Sequence, residues 1–266
     1  MLESGQGERP LAGRHVLVTG GSRGIGAACA RALAVQGADV TLLGRTIETL
    51  AATARELSVE CDVRTATVTA DASDAEALRG AVAGAGEELG PVAILVNNVG
   101  GTTSAPFEKI DAEIWQQSIA LNMTSTFTCS QAVLGGMKAA GWGRIVNVAS
   151  TAGLKGYAYV APYCAAKHGV IGLTRALALE LAATGITVNA VCPGFADTDM
   201  TRDTIDTIQA KTGRDAEAAR AELAALNPQG RLVRPEEVAA AVAYLCLPAA
   251  GSMTGQALAV AGGEVM

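Results

Sequence analysis

The chain has 266 residues, half of them hydrophobic and 17% charged, with a formal net charge of −6. That is enough apolar sequence for a sizeable core and excludes a disordered chain; the acidic balance, with Lys and Arg not gathered into runs, excludes a nucleic-acid partner. Six cysteines without a CxxC pair, with only His15 and His168 beside them, leave no ligand set for a metal, and none is expected.

Residues 1 to 11 read as a flexible tail without the apolar core of a signal peptide. His15–Thr19 is the first predicted strand, followed by a glycine-rich turn and a helix over Gly24–Gln36. Asp39–Leu43 and Ala66–Ala70 are the next strands, with a helix over Glu48–Leu57 between them. A third helix spans Asp74–Leu89, with Ser73 as its expected cap. Val92–Asn97 is a strand, Asp111–Ala139 supplies one or two helices, and Gly143–Ala149 is the fifth strand. A long helix over Tyr159–Ala183 precedes a strand at Ile186–Cys192. Ala216–Ala225 and Pro235–Leu247 read as helices, and Gln256–Ala261 as the last strand.

Short, continuously apolar strands that alternate with helices imply a parallel sheet covered on both faces. The expected fold is therefore a single α/β domain over residues 12–266: a doubly wound, Rossmann-like sheet of about seven strands with ligands at the carboxyl ends of the strands. No internal repeat or linker interrupts it. No stretch reaches the ~18 apolar residues of a membrane span, and cysteines scattered in apolar surroundings fit a reducing cytoplasm.

The turn Thr19-Gly20-Gly21-Ser22-Arg23-Gly24-Ile25-Gly26 joins the first strand to the first helix. Glycines there let backbone approach a pyrophosphate, and the helix N-terminus offers free N–H groups. The alternative reading is a tight turn that needs glycine for its dihedrals. After the second strand the chain reads Leu43-Gly44-Arg45-Thr46, with no acid to repel a 2′-phosphate. Arg45, and Arg23 from the other side, could meet that phosphate, so NADP(H) is expected ahead of NAD(H). The plainer reading leaves both arginines as solvated charge.

Tyr163 and Lys167 stand four residues apart on the long helix and share a face. A neighbouring ammonium favours a phenolate, so Lys167 is expected to lower the pKa of Tyr163 and make it a proton relay. Ser150, at the end of the fifth strand, could orient a substrate oxygen.

Together with these residues, Asp71, the NNVG run (97–100), Asn122, YCAAK (163–167) and the Pro193-Gly194 pair have the order and spacing of one family. From residue 12 to 263 the chain resembles the short-chain dehydrogenase/reductases. The resemblance implies a hydride transfer between a nicotinamide cofactor and a ketone or alcohol. It implies catalytic roles for Asn122, Ser150, Tyr163 and Lys167. On the cofactor it implies Gly20, Ser22, Arg23, Gly24, Ile25 and Gly26 at the pyrophosphate and Arg45 and Thr46 at the ribose. Asp71 and Ala72 would lie at the adenine and Asn98 and Gly100 along the cleft. Pro193, Gly194, Ala196 and Thr198 would lie on the nicotinamide side, with Tyr163 and Lys167 at its ribose. Asn122 would hold a water that relays protons to Lys167. Asp71 could instead simply open a turn before Ser73.

Three departures stand out. Val99 replaces the usual alanine, Ala261 replaces the usual acid before the closing glycines, and Lys155-Gly156-Tyr157 and residues 199–227 do not closely match the carrier-protein reductase pattern that Ser22 and Arg23 follow. Residues 161–200 look most like 3-oxoacyl-carrier-protein reductases and bacterial aromatic polyketide ketoreductases. The expected substrate is therefore a 3-oxoacyl thioester or polyketide-like ketone, CoA- or carrier-linked. Residues 198–229 would form a lid, with Arg202, Lys211, Arg214 and Arg220 available to a phosphate or else forming a charged helix face. The alternatives are a dehydrogenase that oxidises a hydroxyacyl-CoA or aryl alcohol, and a non-catalytic assembly subunit. Apolar faces on the helices at 111–139 and 159–183 point to a homo-oligomer, and the resemblance to a homotetramer.

Overall fold

The computed structural model describes residues 9–266. Seven strands form one parallel sheet: β1 (His15–Thr19), β2 (Asp39–Gly44), β3 (Thr65–Thr69), β4 (Ile94–Asn97), β5 (Gly143–Val148), β6 (Ile186–Pro193) and β7 (Ala257–Val260). Their order is β3-β2-β1-β4-β5-β6-β7. The chain winds outward from β1 to β3, then returns to β4 on the other side of β1. The strand order therefore reverses between β1 and β4, and a crevice opens at their carboxyl ends.

Side-chain alternation divides the core between the two faces. Val16 and Val18 of β1, Ile94 and Val96 of β4, and Val146 and Val148 of β5 pack with α1 (Gly24–Val35), α2 (Ile47–Cys61) and α9 (Pro235–Cys246). Leu17, Leu95 and Ile145 point the other way. They pack with α3 (Ala75–Leu89), α5 (Ser125–Ala140) and α6 (Ala161–Leu181). Two further helices, α7 (Asp199–Thr212) and α8 (Ala216–Ala225), close a separate small cluster of Ile205, Ala219, Leu223 and Leu232. No helix among the described residues is long and apolar enough to cross a membrane.

Three local expectations change. The predicted tail overlaps the described residues at 9–11, where Leu11 is fully buried and its N–H donates to Gln36 O; residues 1–8 lie outside the described residues. The long helix begins at Ala161 rather than Tyr159, because Tyr159 adopts a left-handed φ of 68° and passes its carbonyl to Ala105 N. Asp74, not Ser73, caps α3: its Oδ1 accepts from Glu76 N at 2.9 Å and Ala77 N at 3.1 Å. The Ser73 hydroxyl instead donates to Asp71 Oδ1 at 2.6 Å. Loss of such a cap costs about 1 kcal/mol. Asp74→Ala is accordingly expected to destabilise the protein by about that amount, and Ser73→Ala by less than about 0.5 kcal/mol. Urea unfolding of both variants checks this, and equal losses would reassign the cap.

Candidate active site

The glycine turn is built by close backbone approach. Gly20 and Gly24 hold φ values of +65° and +55°. A Cβ on Gly26 would lie 2.0 Å from Gly20 O, so α1 can start against β1 only with glycine there. The end of β4 staples the turn: Asn98 Nδ2 donates to Thr19 O at 3.0 Å and to Gly20 O at 3.1 Å, and Thr19 Oγ1 accepts from the Asn98 and Val99 N–H groups. The extra bulk of Val99 fits for the same reason, since its Cγ2 lies 3.2 Å from the place of a Gly20 Cβ. Arg23 precedes α1 without capping it, and no acid stands in the first turn. The N–H groups of Gly24, Ile25 and Gly26 thus meet no capping side chain, an arrangement that suits an anion. The residues present fit a dinucleotide.

At the far end of the crevice, Arg45 and Thr46 are exposed at the start of α2. Arg45 makes no hydrogen bond or ion pair among the described residues, and its charge reaches Asp71. The carboxyl of Asp71 is held below its usual range, first by the Ser73 hydrogen bonds and then by Arg45. Asp71 thus opens the turn before α3, and the buried Ala72 follows it. Arg23 points elsewhere, to Asp199 Oδ2 at 3.1 Å. Both side chains of that pair are exposed, so it contributes less than about 1 kcal/mol and a phosphate can displace it.

Ser150 leaves β5 and accepts the Ala152 N–H on its Oγ at 3.0 Å, which keeps its own proton free to donate. Tyr163, half-buried on α6, lies beside Ser150, whose hydroxyl favours its phenolate. Lys167 lies one turn further on, 3% exposed, and its Nζ donates to Val148 O at 2.9 Å. That ammonium is 5.7 Å from the Tyr163 ring centroid. The expected depression of the Tyr163 pKa is not found. Burial pushes it up against the opposing influence of the Ser150 hydroxyl, and burial likewise pulls Lys167 down to about 8. The ammonium serves Val148 O, and loss of hydration governs the Tyr163 shift.

Asn122 is fully buried in a single π-turn over residues 120–124, between α4 (Ala112–Ile119) and α5. Its Oδ1 accepts from Gly101 N at 3.0 Å and its Nδ2 donates to Gly101 O and Ser118 O. It makes no hydrogen bond to Lys167; both flank Gly100, where a Cβ would come within 2.8 Å of Asn122 Oδ1 and 3.4 Å of Lys167 Nζ. On the opposite wall, Pro193 ends β6 and Gly194 follows. Ala196 is buried and bridges to Val233, and Thr198, the residue before α7, lies over Gly24. Lys211 of α7 reaches across to Ser104 O at 3.3 Å. Arg202 pairs with Asp199, Arg214 with Glu222 and Arg220 with Asp197. All four cations expected to be available to a phosphate are therefore already engaged, three of them in ion pairs, as a charged helix face would have them.

The family model for short chain dehydrogenase matches residues 14–209. The chain belongs to the short-chain dehydrogenase family. A Streptomyces coelicolor protein named "Putative ketoacyl reductase" is 45% identical over 93% of this chain and 95% of its own. The 3-oxoacyl-[acyl-carrier-protein] reductase of Vibrio cholerae is 41% identical over 96% of this chain and 99% of its own. Among solved structures, a single-residue variant of actinorhodin polyketide ketoreductase with NADPH superposes with a TM-score of 0.90. It is 42% identical and covers 94% of this chain and 97% of that one.

In this short-chain dehydrogenase the Val148 carbonyl, the π-turn and the contact of Lys211 with Ser104 are not legible in the sequence. Backbone partners leave no residue signature, and a π-turn differs from a helix by one residue of winding. The burial of Lys167 carries a pH signature. The unfolded chain keeps this lysine protonated up to 10.5 and the folded chain only up to about 8. Between those values the unfolded state binds more protons, so stability rises with pH. Relative to Lys167→Met, the wild-type unfolding free energy is expected to gain up to about 3 kcal/mol as pH rises from about 8 to 10.5. Urea titrations at several pH values check this; a constant difference overturns it.

Proposed function

We propose that this protein reduces a ketone to a secondary alcohol with NADPH, and that Tyr163 donates the proton. One observation carries the reading: Ser150, Tyr163 and the buried Lys167 meet at the carboxyl end of β5, on the same sheet edge as the glycine turn. Ser150 orients the carbonyl oxygen through its free proton. Tyr163, with its pKa raised by burial, keeps its proton at neutral pH and gives it to the oxygen as charge develops there. When bound, the nicotinamide supplies the hydride that the carbonyl carbon accepts. Lys167, poised near neutrality, returns a proton to Tyr163, and Asn122 holds the water that reaches it. A protonated phenol favours the reducing direction over alcohol oxidation.

The backbone N–H groups from Gly20 to Gly26, with Ser22, take the pyrophosphate. Asp71 and Ala72 take the adenine, Asn98 and Gly100 line the cleft, and Pro193, Gly194, Ala196 and Thr198 close over the nicotinamide. Arg45, with Thr46 beside it, takes the 2′-phosphate, and Arg23 joins it by leaving Asp199. The relatives' names support a 3-oxoacyl thioester or polyketide-like ketone as substrate. Residues 198–229 form the substrate lid, consistent with their separate cluster and the reach of Lys211 to Ser104. Exposed Phe127 on α5 and Leu179 on α6 support a homotetramer, and six buried free thiols support a cytoplasmic setting.

NADPH oxidation over acetoacetyl-CoA, cyclic ketones, diketones and aryl ketones tests the reaction. At least one class is expected to turn over, and Tyr163→Phe is expected to lower kcat by about 100-fold or more; undiminished turnover in that variant would overturn the proton-donor role. Arg45→Ala is expected to lower kcat/KM for NADPH by about tenfold and leave NADH unaffected. Equal effects on both cofactors would remove Arg45 from the phosphate site.

A further inference from the structure

The C-terminal segment carries a carboxylate that the proposed chemistry does not use. Glu264 follows Gly262-Gly263, and its side chain is only 2% exposed. The residue before those glycines is Ala261, so the acid stands on their other side. Two groups from the loop after β5 hold it. Lys155 Nζ lies 3.0 Å from Oε1, and the Tyr157 hydroxyl donates to the same oxygen. Having committed its proton there, Tyr157 accepts from Thr151 Oγ1 at 2.6 Å. Thr151 directly follows Ser150.

The same carboxylate reaches the end of β6. A Cβ on Gly194 would lie 2.9 Å from Glu264 Oε2. Phe195, the next residue, meets the Tyr157 ring edge-on with centroids 6.2 Å apart. Glu264 therefore bonds to the segment that follows Ser150 and lies where any side chain on Gly194, the start of the other segment, would have to go. Its Oε2 is buried without a hydrogen-bond partner among the described residues, and burying a carboxylate this deeply opposes folding unless pairing compensates. A plain C-terminal clasp could be made from apolar side chains without that cost.

We propose that Glu264 is a positioning residue: it ties residues 151–157 to Gly194 and Phe195 and so sets the aromatic wall beside Ser150. Because the Tyr157 hydroxyl is turned to Glu264, that wall offers ring carbon, which suits a ketone with an apolar acyl or aryl flank. The role rests on the reading of Ser150 and Tyr163 as the ketone-reducing pair.

The test pairs amide hydrogen exchange of the full chain with steady-state kinetics for Glu264→Ala, Glu264→Gln and the exchange of charges Lys155→Glu with Glu264→Lys. Glu264→Ala is expected to speed exchange at residues 151–157 and 194–196, and to raise the ketone KM about tenfold with kcat within about threefold. Glu264→Gln keeps an acceptor for Tyr157 and should show a smaller rise in KM; the charge exchange should recover part of the loss. Faster exchange confined to residues 262–266 would overturn the proposal. So would kcat and the NADPH KM worsening in step with the thermal midpoint. If the wild-type protein reduces no ketone, the reading of Ser150 and Tyr163 fails, while the exchange data still decide whether Glu264 couples the two segments.

Discussion

Backbone must pass backbone without a side chain between them, and the site depends on that contact. At Gly26 the space for a Cβ is already filled by Gly20 O. Only with that space kept empty can α1 begin directly over the end of β1 and present its first N–H groups to the crevice. Asn98 then bonds to the same turn from β4, which locks together the two strands where the sheet order reverses. The crevice between β1 and β4 is thus held by hydrogen bonds to carbonyls rather than by apolar contact. That keeps its geometry fixed while leaving its surface open.

Along β5 the sheet works differently, through a buried charge. Lys167 is removed from water and answered by a single carbonyl, Val148 O. A glycine at 153 permits this: a Cβ there would lie 2.7 Å from Lys167 O. Close docking of α6 onto the loop after β5 therefore brings Tyr163 to Ser150 and leaves both titratable side chains short of solvation. Their pKa values move apart, with the lysine falling to about 8 and the tyrosine rising. The lysine ammonium is thereby the stronger acid of the two, so a proton passing from it to a Tyr163 phenolate runs downhill.

Much of this was legible in the sequence. Alternating apolar strands and helices gave the order of elements and the parallel sheet, and TGGSRGIG, Ser150 and YCAAK marked the site. The misreadings share a physical cause. Ser73 and Asp74 are both good caps, and only the geometry of the turn that Asp71 opens decides between them. Tyr159 looks helical until Pro162 and its own left-handed φ delay the start. Spacing puts Lys167 on the same face as Tyr163, but the shift of the tyrosine depends on burial, which spacing does not reveal. Glu264 lies 107 residues from Tyr157, too distant for any local pattern to join them.

The helix pair α7 and α8 has a core of its own, apart from the two that hold the sheet. Changes to Ile205, Leu223 or Leu232 would be absorbed within that cluster, leaving strand register and the Ser150–Tyr163 contact in place. Such a partition would let the proposed cover accept substitutions that the sheet edge could not. One chemistry could then be carried to many different molecules by substitution in about thirty residues, without renegotiating the stability of the whole.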